Sequence, residues 1–277
     1  MNDKTNKSYR SAQATAVAPG PDAVDAETAQ SLPAAGVKSA LRVLTVLEYF
    51  ARTSKPATLA QLSKQLELPK SSCFALLETL RQAGYMYWLG KDSGYYPTRR
   101  WRDLGERISN RDPILALAAP VLADLCSQLA ETAILAKRDG VEVLYLDVAE
   151  PTQVLRFAAH AGQRKPIHSA ASGRAMLALM EPATREALIR QLELQHYSPA
   201  TLVDPKAIAE QVEMGARRGW HVVVGEYRSD TTAIAVGFRF GGEEYAFVIG
   251  APIQRIADRH DEIGALLLQY ANAVSED

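Results

Sequence analysis

Apolar positions recur first at helical and then at strand spacing. From Val37 onward, Leu41, Leu44, Leu47 and Phe50 fall near one helix face, with Val43 and Val46 widening the stripe. Ser39 is the expected cap of this helix, and Lys55-Pro56-Ala57 breaks it. Thr58 caps a short second helix carrying Leu59, Leu62 and Leu66. Leu68-Pro69 makes the next turn, and Pro69 suits the first position of a third helix. That helix has Cys73, Leu76, Leu77, Leu80 and Ala83 on one face, and Gly84 stops it where a left-handed residue is wanted. Tyr85 to Leu89 then reads as a strand, GKDSG as a turn, and Tyr95-Tyr96 as the start of a return strand. Three short helices followed by a hairpin predict a winged helix-turn-helix over 37–98. A small structural helical bundle is the alternative.

Residues 99–130 read as helical with breaks near Pro113 and Pro120, and 99–120 as an exposed linker helix. Beyond them, TAILAK, VEVLYLDV, QVLRFAA (153–159), WHVVVGE, TAIAVGFRF and EYAFVIGAP are strand-like. SGRAMLALM, PATREALIRQLEL, DPKAIAEQVEMGARRG and ADRHDEIGALLLQYANAV are helical. Asp139-Gly140 and Gly241-Gly242 mark tight turns between neighbouring strands. Residues 121–277 therefore predict a second domain with an antiparallel sheet and flanking helices, and the chain as a whole is α+β.

Composition adds little until it is divided. Over 277 residues, 47% are apolar and 23% charged, as in ordinary soluble proteins. No apolar run spans a bilayer and no export signal is read, so a cytoplasmic protein without membrane contact is expected. Residues 1–36 lack large apolar side chains and are expected to be disordered. Residues 37–112 carry 13 basic and 7 acidic side chains, a net of +6. Residues 113–277 carry 15 basic and 21 acidic, a net of −6. A basic module joined to an acidic one implies that only the first meets a polyanion.

In a helix-turn-helix, the third helix enters the major groove of double-stranded DNA with its N-terminal residues at base edges. With Cys73, Leu76, Leu77 and Leu80 inward, Ser71, Ala75, Glu78 and Gln82 face outward, flanked by Ser72 and Phe74. Lys70, Ser71 and Ser72 stand at the helix N-terminus, which favours phosphate. Serines contact bases with little selectivity, and Phe74 or Ala75 suits a thymine methyl. Lys55, Arg81, Lys91, Arg99 and Arg100 are candidate phosphate contacts.

Four segments carry a family likeness: TLAQLSKQLELPKSSCFALLETLRQAGYMYW, AAPVLADLCSQLAETAILAKRDG, GQRKPIHSAASGRAMLALM and RRGWHVVVGE resemble the IclR family of bacterial regulators, in register from about Val37 to Val274. The resemblance implies a homodimer or dimer of dimers, an N-terminal DNA-binding domain, and a GAF/PAS-like C-terminal domain that binds a small organic acid. In PIHSAASGRAMLAL, the stretch His168, Ser169, Ala170, Ala171, Ser172 and Gly173 would offer backbone N–H groups and a positive dipole end to a carboxylate. An ordinary capped helix is the alternative. The family's remaining pocket positions fall on Val223, Glu226, Ala233, Ala235, Val248 and Gly250. Several relatives have an acid at Val223, a cysteine at Ala233 and serines near Val248 and Gly250. The substitutions make this pocket more apolar and point to an aromatic or longer-chain acid. Many relatives also have His-Arg where this chain has Phe74-Ala75, so an operator sequence does not carry over.

The rival readings are a hydrolase-like enzyme and a small-molecule-binding module, each without specific DNA activity. The histidines at 160, 168, 196, 221 and 260 show no metal-ligand spacing, and no P-loop, G-x-G-x-x-G or G-x-S-x-G motif occurs. No metal or cofactor is expected. His168 beside Ser169 and Ser172 is the one hint of acyl-transfer chemistry. Cys73 and Cys126 lie in apolar helical patterns and read as buried thiols.

Overall fold

The computed structural model describes residues 36–275. The tail read as disordered, 1–36, lies outside the described residues except for Gly36. The first module is built from α1 (Lys38–Thr53), α2 (Leu59–Gln65), α3 (Lys70–Gln82), β1 (Met86–Trp88) and β2 (Tyr95–Pro97). Val46, Phe50, Leu62, Cys73, Leu77 and Leu80 close its core, with Met86 and Tyr95 from the hairpin. Thr58 heads α2 in a full capping box with Gln61. Gly84 follows α3 at φ +80°. Ser39 is not a cap: the Val37 carbonyl accepts the N–H groups of Ala40 and Leu41, so the helix starts two residues earlier than the polar residue suggests. Pro69 sits one position outside α3, as its N-cap. The hairpin also gains a partner that pattern reading misses. Ala57 and Tyr95 exchange backbone hydrogen bonds of 3.0 and 2.8 Å, tying the wing to the α1–α2 turn.

Two helices follow, α4 (Arg100–Ser109) and α5 (Pro113–Leu129), bent by 94° at the break between them. The break expected at Pro113 is therefore present, but the one at Pro120 is not. Pro120 faces solvent, while Ile114, Ala118, Leu122, Leu125 and Leu129 bury one face on both sides of it. Packing on the sheet holds the helix through the missing N–H bond, which would break an isolated helix.

The second module is one antiparallel six-stranded sheet in the order β5-β4-β3-β8-β7-β6. Its strands are β3 (Thr132–Asp139), β4 (Glu142–Ala149), β5 (Arg164–Pro166), β6 (His221–Val224), β7 (Thr231–Phe240) and β8 (Glu243–Pro252). The period of two divides it into two cores. On β3, Ala133 and Leu135 face α5 and α9 (His260–Val274), whereas Ile134 and Ala136 face the opposite layer. On β8, Phe247 and Ile249 take the first side, and Ala246 and Val248 the second. The second layer is α6 (Ala171–Ala178), α7 (Pro182–Gln191) and α8 (Pro205–Arg218). Helix α6 lies close on β7: a Cβ at Gly237 would come within 2.6 Å of the Ala175 carbonyl oxygen.

One expected strand is absent. Residues 153–159 form an irregular loop with Val154 97% exposed, and the edge beside β4 is taken by Arg164–Pro166. The loop is held by single bonds, from Thr132 Oγ1 to the Phe157 carbonyl (2.7 Å) and from Arg255 to the Leu155 carbonyl (2.7 Å). Its apolar run fits strand propensity, yet it pairs with neither the open side of β4 beyond Leu144 nor the outer side of β6.

Candidate functional site

The outer face of α3 is open. Lys70, Ser71, Ser72, Ala75 and Gln82 are exposed and Phe74 is 48% exposed, so a bulky apolar ring stands on the face where a groove would be read. The cations around it divide into two groups. Arg81 pairs with Glu78, Arg99 pairs with Asp103 at 3.3 Å, and the Arg100 guanidinium lies 4.7 Å over the Tyr85 ring. Lys55, Lys70 and Lys91 are exposed and form no ion pair among the described residues. They come from the α1–α2 turn, the start of α3 and the wing tip, three separate points on the module. Burial pushes the Cys73 thiol up, which keeps it protonated and inert within the core.

In the second module a cavity of about 30 Å³ opens between β6, β7, β8 and the start of α6. Ser169, Ala170, Ala171 and Ser172 form one wall. Val223, Glu226, Ala233 and Val248 also line it. Eight residues singled out in the sequence thus converge from four separate segments. The Ser169 and Ser172 hydroxyls are buried there without a hydrogen-bond partner. Uncompensated burial of a hydroxyl is costly, so such groups mark a place where something else supplies the bond.

The other four residues lie elsewhere, each for a packing reason. His168 is 1% exposed and its Nε2 donates to the Gln195 carbonyl (3.3 Å), while burial lowers its pKa and holds the ring neutral. It bonds neither serine, so the nucleophile–base pair of an acyl-transfer site is not formed. At Gly173 a Cβ would lie 2.0 Å from the Ile167 carbonyl oxygen, so this glycine permits close contact between α6 and the 3-10 turn Ile167–Ser169. Gly250 is covered by the Phe157 ring, and Ala235 is fully buried in the sheet. Glu226 lines the cavity but is already committed. Its Oε2 lies 2.6 Å from Arg174 Nη2, and it also accepts the Leu202 N–H at 3.1 Å. Arg174, 2% exposed, donates in addition to the His168 carbonyl. This buried pair joins α6 to the 195–202 loop.

Sequence reading missed Tyr145, Phe157, Lys165 and Tyr227 in the lining, with Thr231 and Thr232. Tyr145 comes from β4 beside a bulge, where the β3–β4 register shifts between Leu135 and Ala136. Phe157 comes from the loop mistaken for a strand, and Lys165 from the unexpected strand β5. No motif joins these residues; only the strand order brings them to one place. Burial holds the Tyr145 hydroxyl protonated. Burial, with Arg228 nearby, lowers the Lys165 ammonium pKa to about 8.

The comparisons with known proteins cover both modules. The family model described as bacterial transcriptional regulator IclR C-terminal matches residues 107–276, and that of the IclR helix-turn-helix domain matches 39–89. The transcriptional repressor IclR of Escherichia coli is 29% identical over 249 residues, covering 88% of this chain and 91% of its own. The regulator KipR of Bacillus subtilis is 29% identical over 200 residues, covering 71% and 78%. Among solved structures, the IclR of Thermotoga maritima superposes with a TM-score of 0.73 at 20% identity, over 85% of this chain and 96% of that one. An IclR homologue of Microbacterium hydrocarbonoxydans, solved as a complex with 4-hydroxybenzoate, superposes with a TM-score of 0.63 at 24% identity, over 85% and 99%. With a winged helix-turn-helix and an antiparallel-sheet domain in the matching order, the chain belongs to the IclR family of DNA-binding transcriptional regulators.

Proposed function

We propose that this regulator binds an operator through α3 and its wing, and that a small organic acid in the α6 cavity changes that binding. The observation that carries the reading is the pair of buried, unpartnered hydroxyls on Ser169 and Ser172, facing the same cavity as Val223, Ala233 and Val248. The first backbone N–H groups of α6 lie at the same wall, where the helix dipole favours a carboxylate. Val223, Ala233 and Val248 surround it with the rings of Tyr145, Phe157 and Tyr227, which suits an aromatic or similarly apolar body. The homologue in complex with 4-hydroxybenzoate supports the same class of ligand.

A cavity of about 30 Å³ is far smaller than the roughly 300 Å³ at which ligand pockets begin. Binding therefore requires expansion. The 150–163 loop is the part able to yield, because it forms no strand and reaches the cavity through Phe157. The acid shifts the DNA-binding equilibrium only to the extent that it favours the expanded form. On the DNA side, Ser71, Ser72, Phe74 and Ala75 meet bases while Lys55, Lys70 and Lys91 meet phosphates. The active species is a homodimer or dimer of dimers, placing two reading helices about 34 Å apart in the cytoplasm.

The test selects a bound fragment from genomic DNA with the purified chain and then titrates it with apolar monocarboxylic acids. An acid that raises the melting temperature and alters the footprint supports the reading. If the acids that stabilise the protein leave DNA affinity and footprint unchanged, coupling between cavity and operator is refuted.

A further inference from the structure

The cavity holds one charge that no described residue answers. Of its lining residues only Glu226 and Lys165 are ionisable at neutral pH. Glu226 is neutralised by Arg174 at 2.6 Å. Lys165 is 7% exposed, and among the described residues no carboxylate comes within ion-pair distance of it. Its Nζ lies 3.6 Å from the centre of the Tyr227 ring, which faces the ammonium but carries no counter-charge. Strand pairing sets where the side chain starts: Lys165 is opposite Val143 on β4, within the three-residue edge strand β5. Burying an unpaired ammonium destabilises a fold, so such a group is retained where a partner arrives from outside. The depressed pKa, about 8, has the same physical origin.

We infer that the Lys165 ammonium is the counter-charge for the effector's carboxylate and that it restricts the pocket to monoanions with a flat apolar body. This rests on the effector reading above and adds which group reads the charge. One unmatched positive charge neutralises one carboxylate; a second carboxylate would be left buried against Val223, Val248 and the Tyr145 and Phe157 rings. The Ser169 and Ser172 hydroxyls and the α6 N–H groups complete the hydrogen bonds of the same ligand but add no formal charge. Cation and hydroxyls line one small cavity, so an anion within it lies close to all of them.

Calorimetric titration of the full chain tests this with benzoate, its neutral isostere benzamide and the dianion phthalate. Wild type is expected to bind benzoate at least tenfold more tightly than benzamide or phthalate. In Lys165→Met and Lys165→Gln the benzoate–benzamide ratio falls to within twofold, while benzamide affinity stays within threefold of wild type. Lys165→Met also melts at a higher temperature, because an unpaired buried charge is gone. If both variants keep a tenfold preference for benzoate, or if phthalate binds as well as benzoate, the inference is overturned and the effector reading stands. If benzoate, phenylacetate, cinnamate and their amides all fail to bind wild type, the effector reading falls and this inference with it.

Discussion

The Arg174–Glu226 pair is the sharpest structural test of how the pocket is held. Both side chains are buried, at 2% and 7% exposure, with the charged atoms 2.6 Å apart. Replacing Glu226 with alanine leaves a buried guanidinium uncompensated, which costs about 3–5 kcal/mol. It also removes the acceptor of the Leu202 N–H. For a chain of this size each kcal/mol lowers the melting temperature by about 2–4 °C, so Glu226→Ala is expected to melt about 10 °C below wild type. The double variant Arg174→Met/Glu226→Leu removes both charges and fills the space. It should recover at least half of that loss, since the desolvation penalty disappears together with the attraction. The assay is thermal unfolding followed by circular dichroism, with urea titration for the free energies. The reasoning is refuted if Glu226→Ala loses less than about 1 kcal/mol, or if the double variant is less stable than the single one.

Three further outcomes follow from the geometry. Lys55→Gln, Lys70→Gln and Lys91→Gln should each reduce the steepness of log affinity against log salt by about 0.9 per protomer on the operator, so about 1.8 for a bound dimer, whereas Arg81→Gln should barely change it, because Arg81 is held by Glu78; equal slopes for all four would remove the division between free and committed cations. Gly173→Ala should destabilise the second module and abolish the response to acid, as its Cβ would overlap the Ile167 carbonyl; a wild-type melt and response in that variant would mean α6 has room to shift. His221 is buried and its pKa is lowered to about 4, so the unfolded chain binds the extra proton first. Stability from this group is therefore full above about pH 6.5 and lost as pH falls toward 4. The difference in urea stability between wild type and His221→Gln should shrink by about 2 kcal/mol from pH 7 to pH 5, and a constant difference would exclude the linkage.

Much of the first module was legible because its signals are local. Thr58 and Gln61 make their capping box within four residues, and Gly84 ends α3 by its own backbone freedom. The cap that differs is also local: Ser39 has the residue type of a cap, but the Val37 carbonyl closes the first turn and the helix starts at Lys38. In the second module composition marked β3 and β8 as strands, but only the structure divides their residues between the two faces of the sheet. The segment 153–159 carries strand propensity but forms a loop, because propensity describes a segment and not the contacts the fold gives it.

The sequence alone determined the order of the elements, the basic charge of the reading module and the small-residue wall at Ser169–Ser172, since each depends on neighbours in the chain. It also determined the family. The tertiary structure decided which cations remain unpaired among the described residues, that Glu226 is committed to Arg174, and that Lys165 enters the pocket with none of their carboxylates beside it. Those facts depend on β5 pairing with β4 and on loops far apart in the chain meeting across the sheet. Burial and counter-charge are properties of that three-dimensional neighbourhood, and no spacing along the chain encodes them.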